Sequence, residues 1–326
     1  MEEFPLETEN RLENAGYRLS GKSRRAGVKI CTYTKKALLG KGGCYKQRFY
    51  GIASHRCLQM APDIFSCNHR CIFCWRDTRT MGRKPMKGAP EDIPVLVSET
   101  IDAQKKLLVG FKGNPSVPKE KFFESEKPNQ VAISLAGEPT NFPQLGELIS
   151  EYKKSGATTF LVTNGTRPAV LRKLSPLPTQ LYVTLPAPDE ASYRKTAVPV
   201  EKNLWKNLLS TLRLLPKMRT RKVLRLTLVR GRNFSSPEKY GELIRIARPH
   251  YVEVKSYVNV GYSRRRLVQN DMLTHEEIRE FARKIAEASG YLVTDEFSES
   301  RVVLLSRDRR AEKGRIIKRT FHSPIS

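Results

Sequence analysis

The sequence has 326 residues, 39% of them hydrophobic, which is enough to bury a core and excludes a disordered chain. Lysine and arginine number 59 against 33 acidic residues, and a formal net charge of +26 points to a polyanionic partner, nucleic acid first. No apolar run approaches the roughly 18 residues of a membrane helix, and the first 25 residues hold no apolar leader core, so a cytoplasmic protein without membrane contact is expected.

In chain order, the first informative region is rich in cysteine. All six cysteines lie between residues 31 and 74: Cys31, Cys44 and Cys57 with twelve residues in each gap, then Cys67, Cys71 and Cys74 as CxxxCxxC. In a reducing compartment such thiols read as metal ligands or catalytic groups rather than disulfides. A strand is expected just before Cys67. Residues 79–128 hold two excursions rich in Gly, Pro and Lys around one helix, "SETIDAQKKLLVG".

Strands and helices then alternate. "VAISLAG" (131–137), "TTFLVTNG" (158–165), "LYVTLP" (181–186), "VLRLTLV" (223–229) and "YVEVKSYV" (251–258) read as buried strands. Helical patterns occupy 143–154, 167–174, 202–215, 236–247 and 274–289, the last with Thr274 as N-cap and Glu277 completing a capping box. About six βα units imply an α/β fold with a parallel sheet and right-handed crossovers, either open or a partial barrel. Function then gathers at the C-terminal strand ends. The basic tail "RDRRAEKGRIIKR" (307–319) reads equally as a solvated terminus or an RNA contact.

The cysteines pose the chemical question. A structural zinc takes four ligands, and a [4Fe–4S] cluster usually takes four cysteines. CxxxCxxC supplies three. His69 lies inside the loop but has little room to turn toward the same metal. Three thiolates around four irons leave one iron open for a substrate or cofactor. Downstream, Gly137, Glu138 and Pro139 end a strand, where a carboxylate and exposed backbone suit an ammonium ligand. Asn164 and Thr184 close the next two strands, either lining the same cavity or serving only as turn residues. Arg264, Arg265 and Arg266 follow the last strand.

CxxxCxxC with Phe73 before its third cysteine resembles the signature of radical S-adenosylmethionine (SAM) enzymes. That resemblance implies a partial (β/α)6 barrel and a SAM-chelating [4Fe–4S] cluster on Cys67, Cys71 and Cys74. One-electron cleavage of SAM would give a 5′-deoxyadenosyl radical that abstracts hydrogen. Phe73 would sit near the adenine, and Gly137-Glu138-Pro139 resembles the GGE-type element that receives the SAM amino group. The stretch "KKALLGKGGCYKQRFYGIASHRCLQMAPDIFSCNHRCIFCWRD" (35–77) resembles the tRNA 4-demethylwyosine synthase family, as do "ISLAGEPTNFPQLGELI", "FLVTNGTRP", "LRLTLVRGRNF" and "VEVKSYVNVGYSRRRL".

The narrower resemblance implies conversion of N1-methylguanosine-37 of tRNA-Phe to 4-demethylwyosine, with two carbons from pyruvate, by a carbon–carbon lyase. It implies a second [4Fe–4S] cluster on Cys31, Cys44 and Cys57 that holds pyruvate, and a lysine that forms a Schiff base with it. Lys46 matches the family's CYK pattern, and Lys41, in a Gly-rich turn, is the backup; nearby cations would depress the lysine's pKa. The three arginines would grip anticodon-stem phosphates while the base is unstacked, at a cost of about a few kcal/mol. Trp75, Tyr257 and Tyr262 would stack on it or belong to the core. With no flavodoxin-like segment ahead of the cysteines, the chain resembles the short, archaeal form, which implies an external ferredoxin- or flavodoxin-type electron donor. A monomer is expected, divided into an N-terminal extension (1–56), a radical SAM core (57–305) and a basic tail (306–326). The competing readings are another radical SAM RNA-modifying enzyme, such as a methyl-transferring type, and a non-catalytic zinc-binding RNA protein using His55 or His69. The methyl-transferring type needs a late cysteine, and none follows Cys74.

Overall fold

A computed structural model describes residues 6–79 and 90–317. Most of the first Gly/Pro/Lys-rich excursion and the last residues of the basic tail lie outside the described residues. Ten strands form one sheet: β1 (Arg18–Ser20), β2 (Ala26–Val28), β3 (Cys57–Ala61), β4 (Gln130–Ile133), β5 (Thr158–Thr163), β6 (Gln180–Thr184), β7 (Arg221–Leu228), β8 (Tyr251–Ser256), β9 (Leu292–Phe297) and β10 (Val302–Ser306). Their order is β1-β2-β3-β4-β5-β6-β7-β8-β10-β9, and the sheet does not close. Strands β3 to β8 are parallel throughout, giving the six strands of a partial barrel. Antiparallel strands extend both edges: β1 and β2 beside β3, β10 and β9 beside β8. The sequence pattern missed these four. β1 and β2 have three residues each, too few to carry a period.

Twelve helices accompany the described strands: α1 (Leu6–Asn14), α2 (Thr32–Leu38), α3 (Tyr45–Tyr50), α4 (Ile93–Leu108), α5 (Lys119–Ser125), α6 (Leu145–Lys154), α7 (Pro168–Lys173), α8 (Glu190–Ala197), α9 (Leu204–Leu214), α10 (Pro237–Ala247), α11 (His275–Ser289) and α12 (Arg309–Lys313). Helix α4 begins five residues before the expected stretch, where Asp92 caps the Val95 amide at 3.2 Å. The capping box of α11 forms as its sequence predicts.

Alternation along the strands sorts side chains to two faces. Leu161, Leu181, Val183, Leu224, Leu226, Val252 and Val254 join the apolar stripes of α6, α9, α10 and α11 in the main core. The opposite, inner face carries Phe160, Tyr182, Val223 and Tyr251, and here α3 packs Tyr45, Phe49 and Tyr50 among them. Helix α3 is thus folded against the barrel interior, whereas Leu38 of α2 packs with Leu108, Val117 and Phe122. The described part of the basic tail also packs: Tyr251 donates to the Ala311 carbonyl at 2.8 Å, and the Ile317 amide to that of Tyr50 at 3.0 Å. Among the described residues no helix is long and apolar enough to cross a membrane.

Candidate active site

Cys67, Cys71 and Cys74 lie on the loop after β3. Backbone bonds pin this loop to the end of α8: the Arg70 amide reaches the carbonyls of Ala197 and Val198 at 3.1 and 3.0 Å, and the Ile72 amide that of Thr196 at 3.0 Å. The Arg70 guanidinium closes the loop on itself through the carbonyls of Cys67 and His69. Burial, then the neighbouring thiols, lifts Cys71 well above the ordinary thiol range, and burial with Glu138 nearby pushes Cys67 up to about 12. The three thiols therefore sense one another. His69 is elsewhere: its Nε2 meets the Tyr193 hydroxyl at 2.6 Å, and burial with Arg70 holds its pKa down to about 3. A ring whose Nε2 is taken up by the Tyr193 hydroxyl makes a poor fourth ligand.

Gly137 and Glu138 face this loop from the end of β4. Gly137 has φ +69°, and a Cβ there would stand 2.1 Å from the Asp63 carbonyl oxygen, so only glycine fits. The Glu138 amide donates to Ser66 at 2.7 Å. Its carboxylate, 2% exposed, accepts from the hydroxyls of Thr140 (2.6 Å) and Thr163 (2.5 Å) and from the amides of Thr140 (3.1 Å) and Asn164 (2.7 Å). Burial raises its pKa against those donors. Pro139 opens a single 3-10 turn, Pro139–Asn141. The Asn164 side chain reaches Asn68 inside the cysteine loop at 2.7 Å. Loop, strand ends and carboxylate thus form one bonded unit. Phe73 packs nearby with Val229, Tyr257 and Leu267.

The other three cysteines meet at the barrel interior. Cys31 precedes α2 and Cys44 precedes α3, each at the N-cap position without a side-chain cap bond, and Cys57 opens β3. Burial, with the Cys31 charge beside it, pushes Cys57 up to about 12, and burial puts Cys44 at about 11. Cys57 opens β3 and Cys67 follows its far end, so the strand's rise of about 3.3 Å per residue separates the two groups. All six cysteines are free of disulfides, half-buried as residues. Among the described residues no three Cys, His, Asp or Glu side chains converge tightly enough for a single ion. Each set offers three thiols, one short of the four ligands of a structural zinc. Buried thiols must release protons as they take up iron.

Lys46 extends from α3 over the rings of Tyr182 (4.7 Å) and Phe160 (5.2 Å). Burial and then Arg225 lower its pKa, and Cys44 and Cys57 oppose that shift, so the amine sits beside the second cysteine group. Lys41 is exposed. The structure adds three residues that sequence reasoning missed, Arg225, Glu253 and Lys255, whose inward-facing charges sit in strands read simply as buried. Glu253, 0% exposed, accepts from Tyr45 (3.0 Å), Tyr50 (2.9 Å) and Arg225 Nε (2.9 Å). Burial tends to raise its pKa, but Arg225 and Lys46 outweigh that and hold it below the ordinary value. Burial and Arg225 bring Lys255 down to about 8. Thr184 pairs with Arg225 across β6 and β7, and Val183 pairs with Thr163 across β5 and β6, so Thr184 lies between this group and the strand end that carries Asn164.

The three arginines divide. Arg264 and Arg265 are exposed, Arg265 lying over the Tyr262 ring at 4.9 Å. Arg266 turns inward, donating to the carbonyls of Ile72 (3.1 Å) and Cys74, so it clamps the cysteine loop. Trp75 and Tyr262 line one cavity of about 250 Å³ with Tyr17 and Phe65. Tyr257 is 1% exposed, its hydroxyl bonded to Asn259 and Ser263, and belongs to the core.

Comparison with known proteins bears on this arrangement. Residues 63–244 match the radical SAM superfamily, and residues 246–307 match the family described as wyosine base formation. The S-adenosyl-L-methionine-dependent tRNA 4-demethylwyosine synthase of Pyrococcus abyssi is 47% identical over 309 residues, spanning 94% of this chain and 90% of that protein. A solved structure of TYW1 with a lysine-pyruvate adduct bound superposes with a TM-score of 0.85 at 37% identity, covering 94% of this chain and 98% of that one. An archaeal TYW1 crystal structure gives 0.77 at 35% identity over the same shares.

Proposed function

The chain belongs to the radical SAM family of tRNA 4-demethylwyosine synthases, and from that footing we propose that it builds the third ring of 4-demethylwyosine on N1-methylguanosine-37 of tRNA-Phe, taking two carbons from pyruvate as a carbon–carbon lyase of the cytoplasm. The observation that carries the pyruvate assignment is the placement of Lys46 beside Cys44 and Cys57 inside the barrel.

In this reading Cys67, Cys71 and Cys74 hold a cluster with one open iron, and Cys31, Cys44 and Cys57 hold a second. When bound, the first cluster and SAM would supply the radical chemistry directed at the N-methyl group. The residues of the chain bind and orient. Glu138 offers its carboxylate to the SAM ammonium, and Gly137 lets the strand end approach the loop. Pro139 and Asn164 fix that edge, and Phe73 covers the adenine. Thr184 stands between that edge and the keto acid. Lys46 adds its amine to the ketone carbon of pyruvate and water leaves, which fixes the methyl-bearing fragment for carbon–carbon bond formation. Burial that favours the neutral amine favours this step. Arg264 and Arg265 contact phosphate, and Trp75 and Tyr262 offer rings to an unstacked base. Electrons come from an external ferredoxin- or flavodoxin-type donor.

The test is an anaerobic assay with reconstituted protein, a chemical reductant, SAM and tRNA carrying N1-methylguanosine, with and without carbon-labelled pyruvate. The expected product is a tricyclic base carrying two labelled carbons, lost in Lys46→Ala and retained in Lys41→Ala. Methylation without pyruvate dependence would favour the methyl-transferring reading instead.

A further inference from the structure

We propose that Arg225 is the carboxylate anchor of the keto-acid site, binding the carboxylate of pyruvate through its Nη2 arm while Lys46 engages the adjacent ketone. This rests on the reading that Lys46 captures pyruvate.

Register sets the stage. β7 and β8 pair Arg225 with Glu253 and Thr227 with Lys255, so Arg225, Glu253 and Lys255 share the inner face with Tyr251. The guanidinium is only half used. Its Nε donates to Glu253, and Glu253 is occupied by the two tyrosine hydroxyls as well. Nη2 is buried with no hydrogen-bond partner among the described residues. A buried donor left unpaired costs free energy, and more so on a charged group, so its direction marks where an acceptor belongs. The same ring locates the amine: Arg225 Cζ lies 4.5 Å and Lys46 Nζ 4.7 Å from the centroid of Tyr182.

Charge and shape agree. Arg225 and Lys255 bring two cations to the single carboxylate of Glu253 in this recess, a surplus that an anionic ligand would balance. A guanidinium presents parallel N–H groups to a planar carboxylate, a match an ammonium lacks. A 2-keto acid carries its ketone on the carbon next to the carboxylate, so one cation can hold the acid while the neighbouring amine adds to the ketone. The carboxylate takes no part in that addition. Arg225 would therefore set selectivity for 2-keto acids over neutral ketones.

The experiment traps the lysine–ketone imine with cyanoborohydride in reconstituted protein without SAM, and reads the adduct by intact mass against ligand concentration. Pyruvate is compared with pyruvamide, which has the same ketone and no charge. Arg225→Gln removes the anchor. Arg225→Lys keeps a cation for Glu253 but loses the second arm, and so guards against misfolding of the first variant. In both, the half-saturating pyruvate concentration is expected to rise about tenfold or more, pyruvamide trapping to stay unchanged, and the preference between the two to collapse. An unchanged preference in either variant would overturn the proposal. So would a parallel loss of both ligands in Arg225→Lys, which would mean that Arg225 only shapes the pocket. Absence of any adduct in the unmodified protein, or its persistence in Lys46→Ala, would instead remove the reading beneath, and this inference with it.

Discussion

Gly137 concentrates several constraints in one atom's worth of space. Its positive φ and the 2.1 Å approach a Cβ would make to Asp63 O leave no room for any side chain. Gly137→Ala is expected to destabilise the fold by about 2–4 kcal/mol, since strain and clash add; a denaturation midpoint equal to that of the unmodified protein would contradict it. At this scale the sequence was legible where a residue type has few other uses. Clustered cysteines in a reduced protein and a strand-ending Gly-Glu-Pro announce themselves. Arg225, Glu253 and Lys255 did not, because the Val and Leu around them make both strands read as buried and leave the charges between them without an assigned face. Only a barrel with ligands inside turns that face inward.

The loop bearing Cys67, Cys71 and Cys74 holds its shape through elements distant in sequence, α8 and the turn containing Arg266. Arg266→Ala is expected to speed the loss of about half of the bound iron to a chelator while leaving tRNA affinity nearly unchanged. Arg264→Ala and Arg265→Ala should do the reverse: iron retained, affinity lowered across sequences, and the salt slope reduced by about one per arginine. Iron retention in Arg266→Ala, or a tRNA defect there alone, would contradict this division. A run of three arginines carries no mark of which one turns inward. Helix α8 was equally hidden, since "EASYRKTA" has little apolar periodicity. Its one signal is Asp189, which caps the Ser192 amide at 2.9 Å.

Across the whole molecule, the six-stranded alternation was readable because each strand is followed by an amphipathic helix, whereas the edge strands lack that partner and the tail lacks an apolar stripe. The tail docks beside His250, near the start of β8. Burial, then the charges of Lys222 and Arg307, holds His250 at about 4 in the folded chain, below the ordinary 6.5. The unfolded chain therefore takes up this proton first, and the contribution of His250 is full above pH 6.5 and lost as pH falls toward 4. His250→Gln is expected to lose less Tm across that window than the unmodified protein, and equal losses would contradict it. The central claim, two three-cysteine clusters in one barrel, is tested most directly by counting metal after anaerobic reconstitution, with a Cys31/Cys44/Cys57 triple alanine variant alongside. The account predicts about eight irons per chain, falling to about four in the variant. About four in both proteins would contradict the second cluster, and zinc without iron would contradict the radical chemistry itself.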